Sequence, residues 1–147
     1  GDANSPYYWN KHEQTKGVMQ GEWLKTGDTY YSDAEGYYWY CGRSDDMMKV
    51  GGLWVSPIEI ENTLMEHPAV LESGVIGDTD AEGLLKPKAY VLLKTEFKPS
   101  DELRSELQTH VKTRLAPYKY PRWIEFVEDL PKTVTGKIQR FRLRAVR

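Results

Sequence analysis

The run SPIEIENTLMEHP, Ser56 to Pro68, constrains the fold more than any other stretch of this chain. Ser56 is a good N-cap and Pro57 suits the first helical position. Glu59 stands three residues after the serine, which completes a capping box. Ile60 and Leu64 recur at i, i+4 spacing, His67 extends that face, and Pro68 stops the helix. AVLESGVIGD then reads as a strand ending in a turn, and KPKAYVLLKT as a second strand of mixed polar and apolar pattern. Another helix opens at Ser100, with Asp101 and Glu102 in its first turn, where the helix dipole favours anions. Leu103, Leu107, Val111 and Leu115 form its apolar stripe, Lys112 and Arg114 lie near its C-terminal end, and Pro117 ends it. RWIEFVEDL is a short strand and RFRLRAV a short basic helix. The expected class is α+β, with helices covering a small, mainly antiparallel sheet.

Ahead of this unit the pattern is β. GEWLKTGDTYYSDAEGYYWYCG sets aromatic-rich runs on either side of SDAEG, whose acids and glycine mark a hairpin. Such a hairpin is marginal alone, and the sequence offers it no partner sheet, which points to a truncated domain. KVGGLWV reads as a tight hairpin in which Gly51 and Gly52 are free to take positive φ. Residues 1–20 hold no clear periodicity, although YYWNKHEQTKGVM suits a short helix.

The 147 residues are 39% apolar, enough for a packed core, and no apolar run approaches the roughly 20 residues that cross a bilayer. No charged-then-apolar leader opens the chain, so no secretion signal is expected. The single cysteine, Cys41, excludes a disulfide framework within the chain and favours a reducing, cytoplasmic location. It is expected to be a small apolar filler in a strand. A net charge of −2 exerts no global pull on nucleic acid. From Lys132 to Arg147, however, Lys132, Lys137, Arg140, Arg142, Arg144 and Arg147 occur with no acid among them. Such a tail is expected to be solvated, or to meet a phosphate.

Three stretches carry candidate chemistry. PKTVTGKIQR, Pro131 to Arg140, ends like a phosphate-binding P-loop but fails its pattern, which needs glycine where Pro131 stands and Ser or Thr where Ile138 stands. Lys137, on what reads as a flexible loop, can still act as a point charge at a transferring group. In WLKTGD, Asp28 follows Gly27 at a strand end, where a carboxylate can accept hydrogen bonds from the cis-diol of a ribose; plain turn chemistry favours the same pair. In GRSDD, Arg43 offers a planar fork for a phosphate or hydroxyls. Asp45 and Asp46 are adjacent carboxylates without a third ligand in range, so a solvated turn is expected there and no metal site.

Taken in order, WLKTGD, then GRSDDMMKVGGLWVSPIEIE, then PKTVTGK resemble the adenylate-forming superfamily of acyl-CoA synthetases, peptide-synthetase adenylation domains and beetle luciferases. The resemblance spans about residues 21–140, and YYWYCGRSDDMMKVGGLWVSPIEIE is most similar to the benzoate-CoA ligase type. It implies ATP and CoA as substrates, with Mg2+ accompanying ATP, and an aryl carboxylate as the acid. By motif position, Lys137 corresponds to the catalytic lysine, Asp28 to the ribose-binding aspartate and Arg43 to an arginine that contacts the nucleotide. Asp45 corresponds to the hinge about which a small domain turns. Lys49, Gly51 and Gly52 belong to a loop that enters the site in a second conformation and lines the pantetheine channel.

The superfamily's upstream phosphate loop and its adenine- and acid-binding segments have no counterpart in this chain. The resemblance therefore implies that residues 1–45 are the end of a large N-terminal domain up to the hinge, and that residues 46–147 are the whole small mobile domain. The missing N-terminal domain would be its main partner, and the chain alone is expected not to catalyse adenylation. A lysine acetyltransferase and deacetylase acting on Lys137 are implied as regulators. Two other readings stand beside this one: an adenylation domain that loads a carrier protein, and a basic-tailed module that binds nucleic acid or an acidic partner. Neither nucleic acid nor membrane is expected as a partner.

Overall fold

The computed structural model describes the strand backbones at 22–25, 28–32 and 38–43 and the continuous stretch 46–146. The helix expected within residues 1–20, the hinge position Asp45 and the side chain of Cys41 lie outside the described residues. The aromatic segment forms a three-stranded antiparallel sheet: β1 (Glu22–Lys25), β2 (Asp28–Ser32) and β3 (Tyr38–Arg43), in that order. The sequence reading saw a single hairpin here. The first aromatic run in fact folds back on itself, with Lys25 opposite Asp28, before the Ser32–Tyr38 pairing closes the second hairpin.

Next comes the two-stranded ribbon β4 (Met48–Val50) and β5 (Leu53–Val55). Gly51 and Gly52 connect them at φ of 58° and 83°. Positive φ at both central residues defines the mirror-image turn whose twist matches the flanking strands, so two glycines serve here where most residues would be strained. Helix α1 (Pro57–Met65) follows and leads into β6 (Val70–Thr79) and β7 (Leu85–Leu93), a long antiparallel pair. Helix α2 (Asp101–Arg114) and a 3-10 turn (Pro117–Lys119) cross over to β8 (Trp123–Val127), which pairs with β7 in parallel. The sheet order is β6-β7-β8. One parallel pair in an otherwise antiparallel set is the consequence of that crossover, since parallel neighbours need a long connection. The chain closes with a hairpin at 131–139 and helix α3 (Arg140–Val146). The α+β class with mainly antiparallel sheets is as the sequence implied.

The β6-β7-β8 sheet is covered on both faces, and strand periodicity divides the cover. Val75, Ala89, Val91 and Ile124 turn to one side and join Ile60 and Leu64 of α1 and Leu107, Val111 and Leu115 at the end of α2. Ile76 and Tyr90 turn to the other side, where Leu130, Leu143 and the partly buried Ile138 meet them. Successive residues of a strand point to opposite faces, so this single sheet holds two helices on one side and the C-terminal hairpin and α3 on the other. Gly74 makes the second contact close: a Cβ there would lie 2.8 Å from Leu143 Cδ1 and 3.3 Å from Ile138 Cγ2.

Helix α2 starts as its sequence demands, with the Ser100 hydroxyl accepting from the Leu103 N–H at 3.0 Å. Helix α1 does not. Ser56 makes no side-chain cap, and the capping box is not formed. Glu59 instead turns inward to accept from Lys119 Nζ at 2.8 Å, with both side chains essentially inaccessible. A buried ammonium requires a buried anion, and that long-range requirement overrides the local motif.

Candidate functional site

The segment that carries Lys137 is a closed hairpin, which corrects the reading of a flexible loop. Lys132 and Ile138 form an antiparallel bridge. Thr133 N–H donates to the Lys137 carbonyl at 2.8 Å, Gly136 N–H to the Thr133 carbonyl at 2.9 Å, and Gln139 N–H to the Pro131 carbonyl at 2.9 Å. The Thr133 hydroxyl oxygen accepts the Lys137 N–H at 3.1 Å. Gly136 adopts φ of 90°. A β-turn whose fourth residue is a glycine at positive φ is a recurrent hairpin closure, and it leaves the next residue, Lys137, projecting from a hydrogen-bonded backbone. The Lys137 side chain is exposed.

Charge around the hairpin is distributed unevenly. Lys132 Nζ binds Glu72 of β6 at 2.5 Å. Arg140 holds Glu61 of α1 at 2.5 and 2.8 Å and reaches Asp46 at 3.4 Å. Arg144 meets the other oxygen of Asp46 at 3.3 Å. Glu61 also accepts the Val75 N–H at 2.8 Å. Desolvation works against the Arg140 charge, but Glu61 and then Asp46 more than offset it and hold the guanidinium above its ordinary value.

Two expectations fall with these contacts. The basic tail is not a solvated one, because Lys132, Arg140 and Arg144 are already paired with acids from earlier in the chain. They are therefore not offered to a phosphate, and the nucleic-acid reading loses half of the six basic residues it relied on. Asp46 is likewise not part of a solvated turn: it is buried, 7% exposed, because two arginines cover it. Lys137 differs from these neighbours. Among the described residues, no acidic group pairs with its ammonium.

The other candidates divide into two groups. The strand register sets Asp28 directly opposite Arg43 across β2 and β3, beside an irregularity between Thr29 and Tyr30. This juxtaposition was not legible in the sequence, where 14 residues lie between Asp28 and Arg43. Lys49, Gly51 and Gly52 sit together on the β4–β5 hairpin, where Lys49 Nζ lies 5.5 Å from the centre of the exposed Trp54 ring. A cation over an aromatic face is a weak attraction at an exposed site, enough to bias the side chain but not to bury it. Among the described residues no cluster of three or more His, Cys, Asp or Glu is arranged to hold a metal ion, and no helix is long and apolar enough to cross a membrane.

Glu61 and Thr133 were not singled out by motif reading, and Asp46 was read only as part of a solvated turn, yet Thr133 closes the lysine hairpin and the two acids hold Arg140 just beyond it. The sequence carried one indirect signal: a basic run with no acid in it needs partners from elsewhere once it folds against a sheet.

Residues 59–137 match the AMP-binding enzyme C-terminal domain, just over half of the chain. The chain belongs to that family. Over 145 residues it is 56% identical to a benzoate–CoA ligase of Thauera aromatica, covering 99% of this chain and 28% of the relative. It is 49% identical over 146 residues to a 4-hydroxybenzoate–CoA/benzoate–CoA ligase of Rhodopseudomonas palustris, covering 98% of this chain and 27% of that protein. Among solved structures, the anthranilate CoA ligase AuaEII in complex with anthranoyl-AMP superposes with a TM-score of 0.78 at 58% identity, over 91% of this chain and 26% of that one. The chain thus spans just over a quarter of the length of the relatives it matches. The family match ends at the hairpin lysine, Lys137.

Proposed function

We propose that this chain is the C-terminal part of an ATP-dependent aryl carboxylate–CoA ligase, with benzoate or a close relative as the acid. In the first half-reaction a carboxylate oxygen attacks the α-phosphorus of ATP and pyrophosphate leaves, giving an acyl-adenylate. In the second, the CoA thiolate attacks the acyl carbon and AMP leaves, giving the thioester. The observation that carries the reading is the Lys137 ammonium, without an acidic partner among the described residues, on a closed hairpin in a chain whose relatives are CoA ligases of aromatic acids.

Lys137 supplies the cation where a carboxylate and a phosphate, both anionic, are forced together and charge builds on the phosphoryl oxygens. Asp28 takes the ribose hydroxyls and Arg43, opposite it in the register, contacts the nucleotide. Residues 1–45 close the large domain, Asp45 is the hinge, and residues 46–147 turn about it. In the second orientation the hairpin of Lys49, Gly51 and Gly52 lines the pantetheine channel, where glycine lets backbone approach closely. Mg2+ would accompany the phosphates of ATP and offset part of their charge. The enzyme works in the cytoplasm, and a lysine acetyltransferase that neutralises the exposed Lys137 silences adenylation, with a deacetylase reversing it. An upstream domain supplies the acid pocket, so the chain alone is inactive.

The test uses the full-length ligase with Lys137→Ala. ATP–pyrophosphate exchange is compared with thioester formation from preformed benzoyl-adenylate. Exchange falls by orders of magnitude while thioester formation survives. Equal rates for variant and wild type in both assays would reduce Lys137 to surface charge.

A further inference from the structure

Arg140 lies three residues beyond Lys137, and three parts of the fold converge on its side chain. Two of its nitrogens grip the carboxylate of Glu61 on α1, and a third contact goes to Asp46, the residue directly after the expected hinge. Glu61 is in turn fixed by the Val75 N–H of β6. Arg144 holds the same Asp46 from one turn further along α3. The other leg of the hairpin is fastened independently, through Lys132 and Glu72 of β6. Ile138 and Leu143, on either side of Arg140, pack so close over Gly74 that a Cβ there would lie 3.3 and 2.8 Å from them.

Two acids and two arginines make this group neutral in sum. Burying such a set contributes little net stability, because desolvation offsets the attraction; what it supplies is one geometry for the segments it joins.

We infer that Arg140 is a positioning residue for Lys137. Its guanidinium locks the downstream leg of the lysine hairpin to the first residue after the hinge and to the α1–β6 frame, so that the ammonium turns with the small domain as one body. This rests on the reading of Lys137 as the adenylation cation. Arginine is required because its planar fork serves two carboxylates at once, which a lysine ammonium cannot reproduce. The consequence is selective. Adenylation needs Lys137 placed to within a fraction of an ångström, whereas thioester formation takes place with the hairpin turned away.

The experiment has two arms. In the 147-residue chain, amide hydrogen exchange is followed in Arg140→Gln, with Arg140→Lys and Asp46→Asn as milder variants should the first fail to fold. The hairpin amides of Thr133, Gly136 and Gln139 exchange at least about tenfold faster while those of β6 and β7 keep their protection. In the full-length ligase, Arg140→Gln slows ATP–pyrophosphate exchange on the order of 100-fold, the scale of a small misplacement of a catalytic group. Thioester formation from preformed adenylate is retained, and Arg140→Lys recovers part of the exchange activity. Unaltered hairpin protection in all the variants that fold overturns the inference, as does a fall of both half-reactions in step, which a merely destabilised domain would give. If Lys137→Ala proves silent in pyrophosphate exchange, the adenylation reading fails by itself, and hairpin protection alone then decides whether Arg140 fixes the lysine.

Discussion

Substituting Gly136 separates backbone geometry from packing. Its φ is 90°, and a Cβ built there meets nothing within 4 Å, so no neighbour is pushed aside. What remains is the cost of an L side chain at positive φ, about 1–2 kcal/mol for alanine and more for a β-branched residue. Gly136 donates the hydrogen bond that closes the turn, and Lys137 is the next residue. Strain at this position is therefore relieved by reopening the turn that aims the lysine. Expressed wholly as a population of misdirected hairpin, about 1–2 kcal/mol amounts to a loss of about 5- to 30-fold in the correctly aimed form. In the full-length ligase, Gly136→Ala and Gly136→Val slow ATP–pyrophosphate exchange within and beyond that range, respectively. Gly136→Asn, which tolerates the left-handed region, restores most of the rate. Thioester formation from preformed adenylate is unaffected by all three. Urea unfolding of the 147-residue chain shows any strain that the fold absorbs instead. If Gly136→Val matches the glycine protein in both the exchange rate and the urea midpoint, the argument that this turn aims Lys137 is wrong.

Two further outcomes follow from buried charge. Glu59→Ala removes the buried carboxylate that meets the Lys119 ammonium at 2.8 Å and lowers stability by about 3–5 kcal/mol, a large part of the roughly 5–15 kcal/mol that holds a domain together. Replacing both partners, as Glu59→Leu with Lys119→Met, recovers most of that loss, and urea titration of the single and double variants measures it; a single variant within about 1 kcal/mol of wild type contradicts the buried pair. Burial also depresses the His110 pKa below its ordinary 6.5, with the Thr63 carbonyl opposing that shift by accepting from Nε2 at 2.7 Å. The unfolded chain takes up this proton first, so the contribution is fully present above about pH 6.5 and is lost as the pH falls through the depressed folded value. Urea midpoints between about pH 5 and 8 show that decline, and His110→Gln flattens it; an unchanged slope in the variant removes His110 as its source.

Much of the fold was legible because its signals are local. Ser100 and the acids after it start α2 at the expected residue. Pro57 and Pro68 bracket α1. Gly51 and Gly52 specify the turn between β4 and β5. The capping box at Ser56 obeyed the same local logic and failed, because Lys119, sixty residues downstream, needed Glu59 for its buried ammonium. The site divides along the same line. Motif order singled out Lys137, Asp28 and Arg43 as candidates, whereas the partners of Arg140 lie 79 and 94 residues away and leave no pattern in the sequence around it.

The sequence by itself determined the positions of α1 and α2, the glycine turn between β4 and β5, and the family motifs. These depend on backbone sterics and on hydrogen bonds spanning a few residues, which the chain carries wherever it goes. Only the tertiary structure decided which charges are engaged. Lys132, Lys137, Arg140 and Arg144 are equivalent as letters in one basic run. A charge's fate depends on which distant segments remove water from it and whether they bring an acid when they do. Three of those four meet Asp46 or acids of α1 and β6; Lys137, on a closed hairpin, meets none among the described residues.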